Sequence, residues 1–209
     1  RKTLLDKLVG QRTKLSAYFI FNFLSVIFAS YVSFRAVVFF SIYIFGIWFY
    51  SHKVKKYPFI GNITAAILAV VPFFAVFIYY RNFDLVIFVH ATFLFLVISM
   101  RELVKDLENL KGDLAQNYRT IPVVYGEKVS KRMLTFLSFL TLIPIVLLIT
   151  TFEIGYMYFY FYGSLLALGV FLVVLWLSVK KVHYLVLQLG QVRYYLVLVV
   201  VSLVRLVVQ

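Results

Sequence analysis

The chain has 209 residues, 64% of them hydrophobic, with a mean hydropathy of +0.97 and no cysteine. A soluble domain is about 45–50% apolar, so this composition excludes a water-soluble enzyme, a disordered tail and a disulfide scaffold, and makes a bilayer the natural solvent. The 21 Lys and Arg against 8 Asp and Glu give a net charge of +13, which in a soluble protein would suggest nucleic acid; in a membrane protein the placement of the charges decides.

In chain order, seven apolar stretches are predicted to span, at 16–34, 36–50, 59–80, 85–100, 133–153, 155–178 and 194–208, against the roughly 20 residues a spanning helix needs. The expected fold is an all-α polytopic bundle forming a single transmembrane domain over 1–209. The second stretch shares its boundary with the first near Arg35. Counting Lys and Arg outside the spans gives five in 1–15, three in 51–58, seven in 101–132 and three in 179–193. These four segments alternate onto one side and hold 18 of the 21 positive residues, whereas Arg35, Arg81 and Arg205 face the other. By the positive-inside rule the basic side is cytoplasmic. Topology and anionic lipid thus account for the basic loops, and no nucleic-acid partner is expected.

The loop 51–58 between the second and third spans contains Lys53, Lys55 and Lys56 within Tyr50-Ser51-His52-Lys53-Val54-Lys55-Lys56-Tyr57-Pro58. Its lysines either neutralise a diphosphate leaving group or serve as a topology signal. Asn62, just inside the third span, and His90, within the fourth, both need hydrogen-bond partners in an apolar setting. A lone intramembrane histidine is more often packed than ligating, so His90 receives no role.

Five of the eight acidic residues, Glu102, Asp106, Glu108, Asp113 and Glu127, fall in 101–132. The segment 101–113 follows the fourth span without a turn residue and is predicted to continue it as helix. At about 100° per residue, Glu102, Asp106, Asn109 and Asp113 then lie on a stripe roughly 60° wide, while Leu103, Leu107 and Leu110 lie elsewhere. Like charges at this spacing repel, and a hard divalent cation reverses the sign of that interaction. Mg²⁺ characteristically takes one or two carboxylates plus substrate phosphates. The stripe therefore suggests a Mg²⁺–diphosphate site at the membrane surface; the alternative is a solvated face compensated by Lys105 and Lys111. Beyond it, Pro122 is expected to stop any helix and Gly126 to form a turn, and Arg119 meets either a phosphate or lipid headgroups.

Tyr50-Ser51…Lys55, Gly61-Asn62, the acidic segment with Arg101-Glu102, Lys105-Asp106 and Gly112-Asp113, and Thr120-x-Pro122 followed by Tyr125-Gly126 together resemble the UbiA superfamily of intramembrane prenyltransferases. The resemblance covers the whole chain and is greater to the branch that prenylates glycerol-phosphate lipids than to the hydroxybenzoate, menaquinone or haem branches. It implies a nine-helix bundle in which two aspartate-rich helices hold Mg²⁺ on a prenyl diphosphate, and transfer of a geranylgeranyl-like chain to a lipid acceptor. Carried onto this sequence, Asp106 and Asp113 become catalytic, with Glu102, Asp106, Asn109 and Asp113 as metal ligands. Tyr50, Lys53, Lys55, Asn62 and Arg119 become candidates for diphosphate or acceptor phosphate. An aromatic acceptor is the nearest alternative; a non-catalytic bundle or transporter is the alternative of another class.

Two departures qualify these expectations. Position 109 is Asn where that branch usually has Asp, which removes one negative charge from the ligand set. The superfamily's first aspartate-rich motif, Asn-Asp-x-x-Asp, does not occur in these 209 residues, and Arg1-Lys2 resembles the basic stretch that follows it. The chain is therefore expected to be the last seven of nine helices, without turnover on its own.

Overall fold

A computed structural model describes residues 10–177 apart from 82, 153 and 154, and the described residues form helices and turns with no strand. In order these are α1 (Gln11–Val32), α2 (Phe34–His52), a 3₁₀ turn (Val54–Lys56), α3 (Ile60–Tyr80), α4 (Leu85–Glu108), α5 (Leu110–Ala115), α6 (Ile121–Thr150) and α7 (Met157–Leu177). All of the α-helices except α5 are long and apolar enough to cross a membrane. They coincide with six of the seven expected spans; the stretch 194–208 lies outside the described residues.

The described chain divides into two compact units between His52 and Lys53. The first is the hairpin of α1 and α2, joined through Ser33 alone. Ser33 is extended (φ −174°, ψ 160°), its amide closes α1 on the Ala29 carbonyl, and its Oγ accepts the Ala36 N–H at 3.2 Å. One residue thus ends one helix and caps the next, and Arg35 lies inside α2. Phe19, Phe21, Phe23 and Phe28 all point outward, as expected of a surface whose solvent is hydrocarbon.

In the second unit α4 is the central helix, with α3 packed against one side and α6 against another, and α7 against α6. Phe93, Val97, Met100, Leu103 and Val104 of α4 join Leu134, Ile145 and Leu148 of α6 and Phe161, Leu168 and Phe171 of α7 in one core. Val70, Phe73 and Phe77 of α3 meet Ile87, Ala91 and Leu94 of α4 in a second. Because lipid tails are as apolar as leucine, helices in a bilayer associate through close packing and interhelical hydrogen bonds. Asn62 supplies one such bond, from its Nδ2 to the Ser99 carbonyl at 3.1 Å; Trp176 supplies another, from its Nε1 to Thr135 Oγ1 at 3.2 Å. His90 is packed edge-on to Phe161, with Nδ1 2.9 Å from the Val86 carbonyl oxygen of its own helix.

One expectation is overturned at Pro122. The residue opens α6 rather than stopping a helix, because a first-turn proline has no intrahelical N–H to lose. The turn expected at Gly126 is present as a break inside α6, at φ 80° and ψ 169°. That conformation is nearly closed to side-chain-bearing residues, so Gly126→Ala should cost about 1–3 kcal/mol by strain alone. Phe161→Ala should cost about 3 kcal/mol, mostly through the cavity left beside His90 and Phe93. Unfolding of the two variants by SDS in mixed micelles checks both values.

Candidate functional site

The apolar run of α4 ends at Met100 and the helix continues as Arg101-Glu102-Leu103-Val104-Lys105-Asp106-Leu107-Glu108. At 1.5 Å per residue this carries Asp106 about 9 Å past the end of the apolar run, beyond the part of α4 that spans. Leu103, Val104 and Leu107 are buried and keep this extension packed to the bundle.

The expected unbroken helix over 101–113 is corrected at Asn109. Asn109 leaves helical geometry (φ −90°, ψ 11°), and its carbonyl accepts the N–H groups of Gly112 at 2.7 Å and Asp113 at 3.0 Å, starting α5. Asparagine competes for local backbone hydrogen bonds and glycine has poor helix propensity, so the break falls in the weakest part of the segment. As a result the four side chains do not form an even stripe: Glu102 and Asp113 are buried, Asp106 is half-buried and Asn109 is exposed.

Their electrostatic settings differ. Glu102 is compensated within its own helix, with Oε2 accepting from Lys105 Nζ at 2.7 Å and Oε1 from Arg101 at 3.3 Å. Asp113 Oδ2 accepts the Thr120 hydroxyl at 3.3 Å, and its backbone carbonyl accepts the Tyr118 N–H at 2.9 Å. These two contacts fold the chain after α5 back onto α5. Asp106 carries the strain. Burial above all, then the negative charges of Asp113 and Glu102, push its carboxyl up to about 7 against the opposing pull of Lys105 and Lys55.

Lys55 comes from the 3₁₀ turn, and its Nζ stands 5.2 Å from the centre of the Tyr118 ring, a cation–π placement. The neighbouring Lys56 carbonyl accepts the Arg119 N–H at 3.1 Å. The basic turn and the acidic segment, separate in sequence, therefore meet. Lys55, Asp106, Asp113 and Glu102 lie within electrostatic reach, and the exposed Arg119 is bonded to the same turn. Lys53 immediately precedes the turn. Asn62 gives its amide to α4 rather than presenting it to solvent. Tyr50 belongs to the last turn of α2, in the other unit. Sequence reasoning assigned no role to Tyr118 or Thr120, because both contacts depend on the turn after α5, which local periodicity does not specify.

Among the described residues, no three of His, Cys, Asp or Glu are grouped closely enough to hold a metal ion by themselves. Asp106 and Asp113 offer two oxygen-donor side chains in a region where negative charge is already crowded. That donor set fits a hard cation that takes one or two carboxylates and completes its shell with phosphate oxygens and water; it does not fit an all-protein cage.

The chain belongs to the UbiA prenyltransferase family, which it matches over residues 1–206. It is 37% identical over 118 residues to a digeranylgeranylglyceryl phosphate synthase of Pyrococcus furiosus, covering 56% of this chain and 42% of that protein. It is 31% identical over 117 residues to the protein of that name from Methanobrevibacter smithii, covering 53% and 41%. With that from Pyrococcus horikoshii, identity is 38% over 95 residues, covering 45% and 34%. The matches thus span less than half the length of these curated relatives. No solved structure matches the chain.

Raising the Asp106 carboxyl has a defined consequence for stability. Between the ordinary carboxylate range near 4 and about 7, the folded state binds more protons than the unfolded one, so stability falls as pH rises through that window. Melting of the metal-free protein in detergent should therefore move to lower temperature from pH 4.5 to 7.5. Asp106→Asn should flatten that part of the profile; an unchanged slope would exclude Asp106 as its source.

Proposed function

We propose that this chain carries the diphosphate-binding part of a Mg²⁺-dependent membrane prenyltransferase, which moves a geranylgeranyl-like group onto a glycerol-phosphate lipid acceptor. The observation that carries the reading is the meeting of Asp106 and Asp113 with the Lys55 turn at the end of an apolar bundle. A prenyl diphosphate has matching parts: a multiply charged head, and a tail soluble only in apolar surroundings. The relatives' names support the choice of a glycerol-phosphate acceptor over an aromatic one, and the alternating distribution of Lys and Arg supports a cytoplasmic position for the charged end.

In this reading Asp106 and Asp113 are the residues of this chain that would hold Mg²⁺ against the diphosphate, with Asn109 and Glu102 beside them. Bound there, the metal would supply charge neutralisation for the departing diphosphate. Lys55 and Arg119 bind the same anion, Lys55 as a point charge steadied by Tyr118, Arg119 through its planar fork. The allylic carbon–oxygen bond breaks with its electron pair leaving on diphosphate. The acceptor's hydroxyl oxygen forms the new bond to that carbon and releases its proton. The apolar bundle keeps bulk water from the allylic carbon, so that the acceptor rather than water is alkylated. The pairing of Glu102 with Lys105 and Arg101 makes it a weaker ligand than Asp106 or Asp113.

Membranes containing the full-length protein should transfer labelled geranylgeranyl from its diphosphate to geranylgeranylglycerol phosphate in Mg²⁺, and lose the activity in EDTA. Asp106→Asn and Asp113→Asn should each lower turnover at least about 100-fold, the scale expected when charge stabilisation is lost, while Glu108→Gln should leave it within about twofold. Transfer to an aromatic acceptor alone would overturn the acceptor assignment. Absence of transfer to either class, with Mg²⁺ leaving the melting temperature unchanged, would instead indicate a non-catalytic bundle.

A further inference from the structure

Lys55 and Asp106 lie on elements far apart in the chain, and what joins those elements is the start of α3. Gly61 is buried there with its backbone against the 3₁₀ turn. A Cβ added to it would stand 3.2 Å from the Val54 carbonyl oxygen and 3.4 Å from that of Lys55. A side chain there would press the turn back by a few tenths of an ångström. The Gly61 N–H also bonds the Tyr57 carbonyl at 3.1 Å, closing the turn onto the helix.

The next residue faces the other way. Asn62 Nδ2 donates to the Ser99 carbonyl at 3.1 Å, and Ser99 stands seven residues before Asp106, about two turns along the same face of α4. Adjacent residues of one helical turn therefore hold the lysine-bearing turn on one side and the aspartate-bearing helix on the other. The bond from Arg119 N–H to the Lys56 carbonyl fixes the far side of the turn.

We propose that Gly61 and Asn62 are positioning residues that set the separation of the Lys55 ammonium from the Asp106 carboxylate, and through Lys55 the affinity of the site for a diphosphate. The second half of this inference rests on the diphosphate reading above. Neither residue touches the substrate in this role. Gly61 lets the turn come close and Asn62 ties α3 to α4, so a change at either shifts Lys55 relative to Asp106. Charge interaction falls with distance, and sub-ångström placement matters most where a site binds an anion by a few fixed charges.

The test uses the full-length protein in nanodiscs. Asn62→Asp preserves size and removes the donor; Gly61→Ala pushes on the turn and is the harsher of the two. Acylation of individual lysines by an amine-reactive ester, read by peptide mass spectrometry, should become several-fold faster at Lys55 in each variant. Lys131 of α6 should keep its rate, reporting an intact bundle. Binding of geranylgeranyl thiodiphosphate with Mg²⁺ should weaken about tenfold in Asn62→Asp, and that loss should vanish in a Lys55→Ala background, as coupling through Lys55 requires. Unchanged Lys55 labelling in Asn62→Asp, or binding losses that simply add, would overturn the proposal. If the unaltered protein does not bind the thiodiphosphate but the labelling response is present, the diphosphate reading falls and the positioning of Lys55 stands.

Discussion

Negative charge at the membrane end of a packed helix is the constraint around which this structure is arranged. Asp113 and Glu102 raise the cost of ionising Asp106, which is already paying for partial burial. The neighbouring residues divide that problem unequally. Arg101 and Lys105 settle the charge on Glu102, Thr120 gives Asp113 a hydroxyl, and Asp106 feels Lys105 and Lys55 only through their fields. A purely structural helix end would neutralise its acids or expose them. This one holds an unsettled carboxyl close to a lysine from another element, an arrangement that becomes favourable when a further cation or a cation–anion pair enters.

The apolar part of the molecule supports that arrangement mechanically. α4 contributes to both cores, so its long axis is held by α3 on one side and by α6 and α7 on the other. The charged extension inherits this rigidity through Leu103, Val104 and Leu107. The segment after it is held differently, by the Thr120–Asp113 and Tyr118–Asp113 bonds and by the Arg119–Lys56 bond. Carboxylates thus sit on a rigid helix and its short successor, while the basic groups sit on turns fastened to them.

Much of this was legible in the sequence, and the limits have physical causes. Six described helices follow from apolar stretches long enough to span, because in hydrocarbon the backbone has few alternatives to helix. The concentration of acids after Met100 identified the charged end of α4 from composition alone. The break at Asn109 was not legible: angular arithmetic assumes that a helix continues, and Asn109 and Gly112 only weaken it. Pro122 was misread because proline ends helices and also begins them, and the difference lies in whether Thr120 is already at the helix start. Asn62 needed a partner, but that partner is a backbone carbonyl on a different helix, which no sequence pattern specifies. The same holds for Lys55 and Tyr118, whose encounter depends on how two turns pack.

The join between α1 and α2 bears on how such a chain enters a bilayer. Two helices connected through Ser33 alone leave no loop to be moved across separately; the only charged residue near the bend is Arg35, already within α2. Transferring polar backbone into hydrocarbon is costly unless its groups are paired, and Ser33 pairs the Ala29 carbonyl with its amide, the Ala36 N–H with its hydroxyl and the Val37 N–H with its carbonyl. The bend of the hairpin therefore carries almost no polar connecting chain, and the charge nearest to it is the single guanidinium of Arg35.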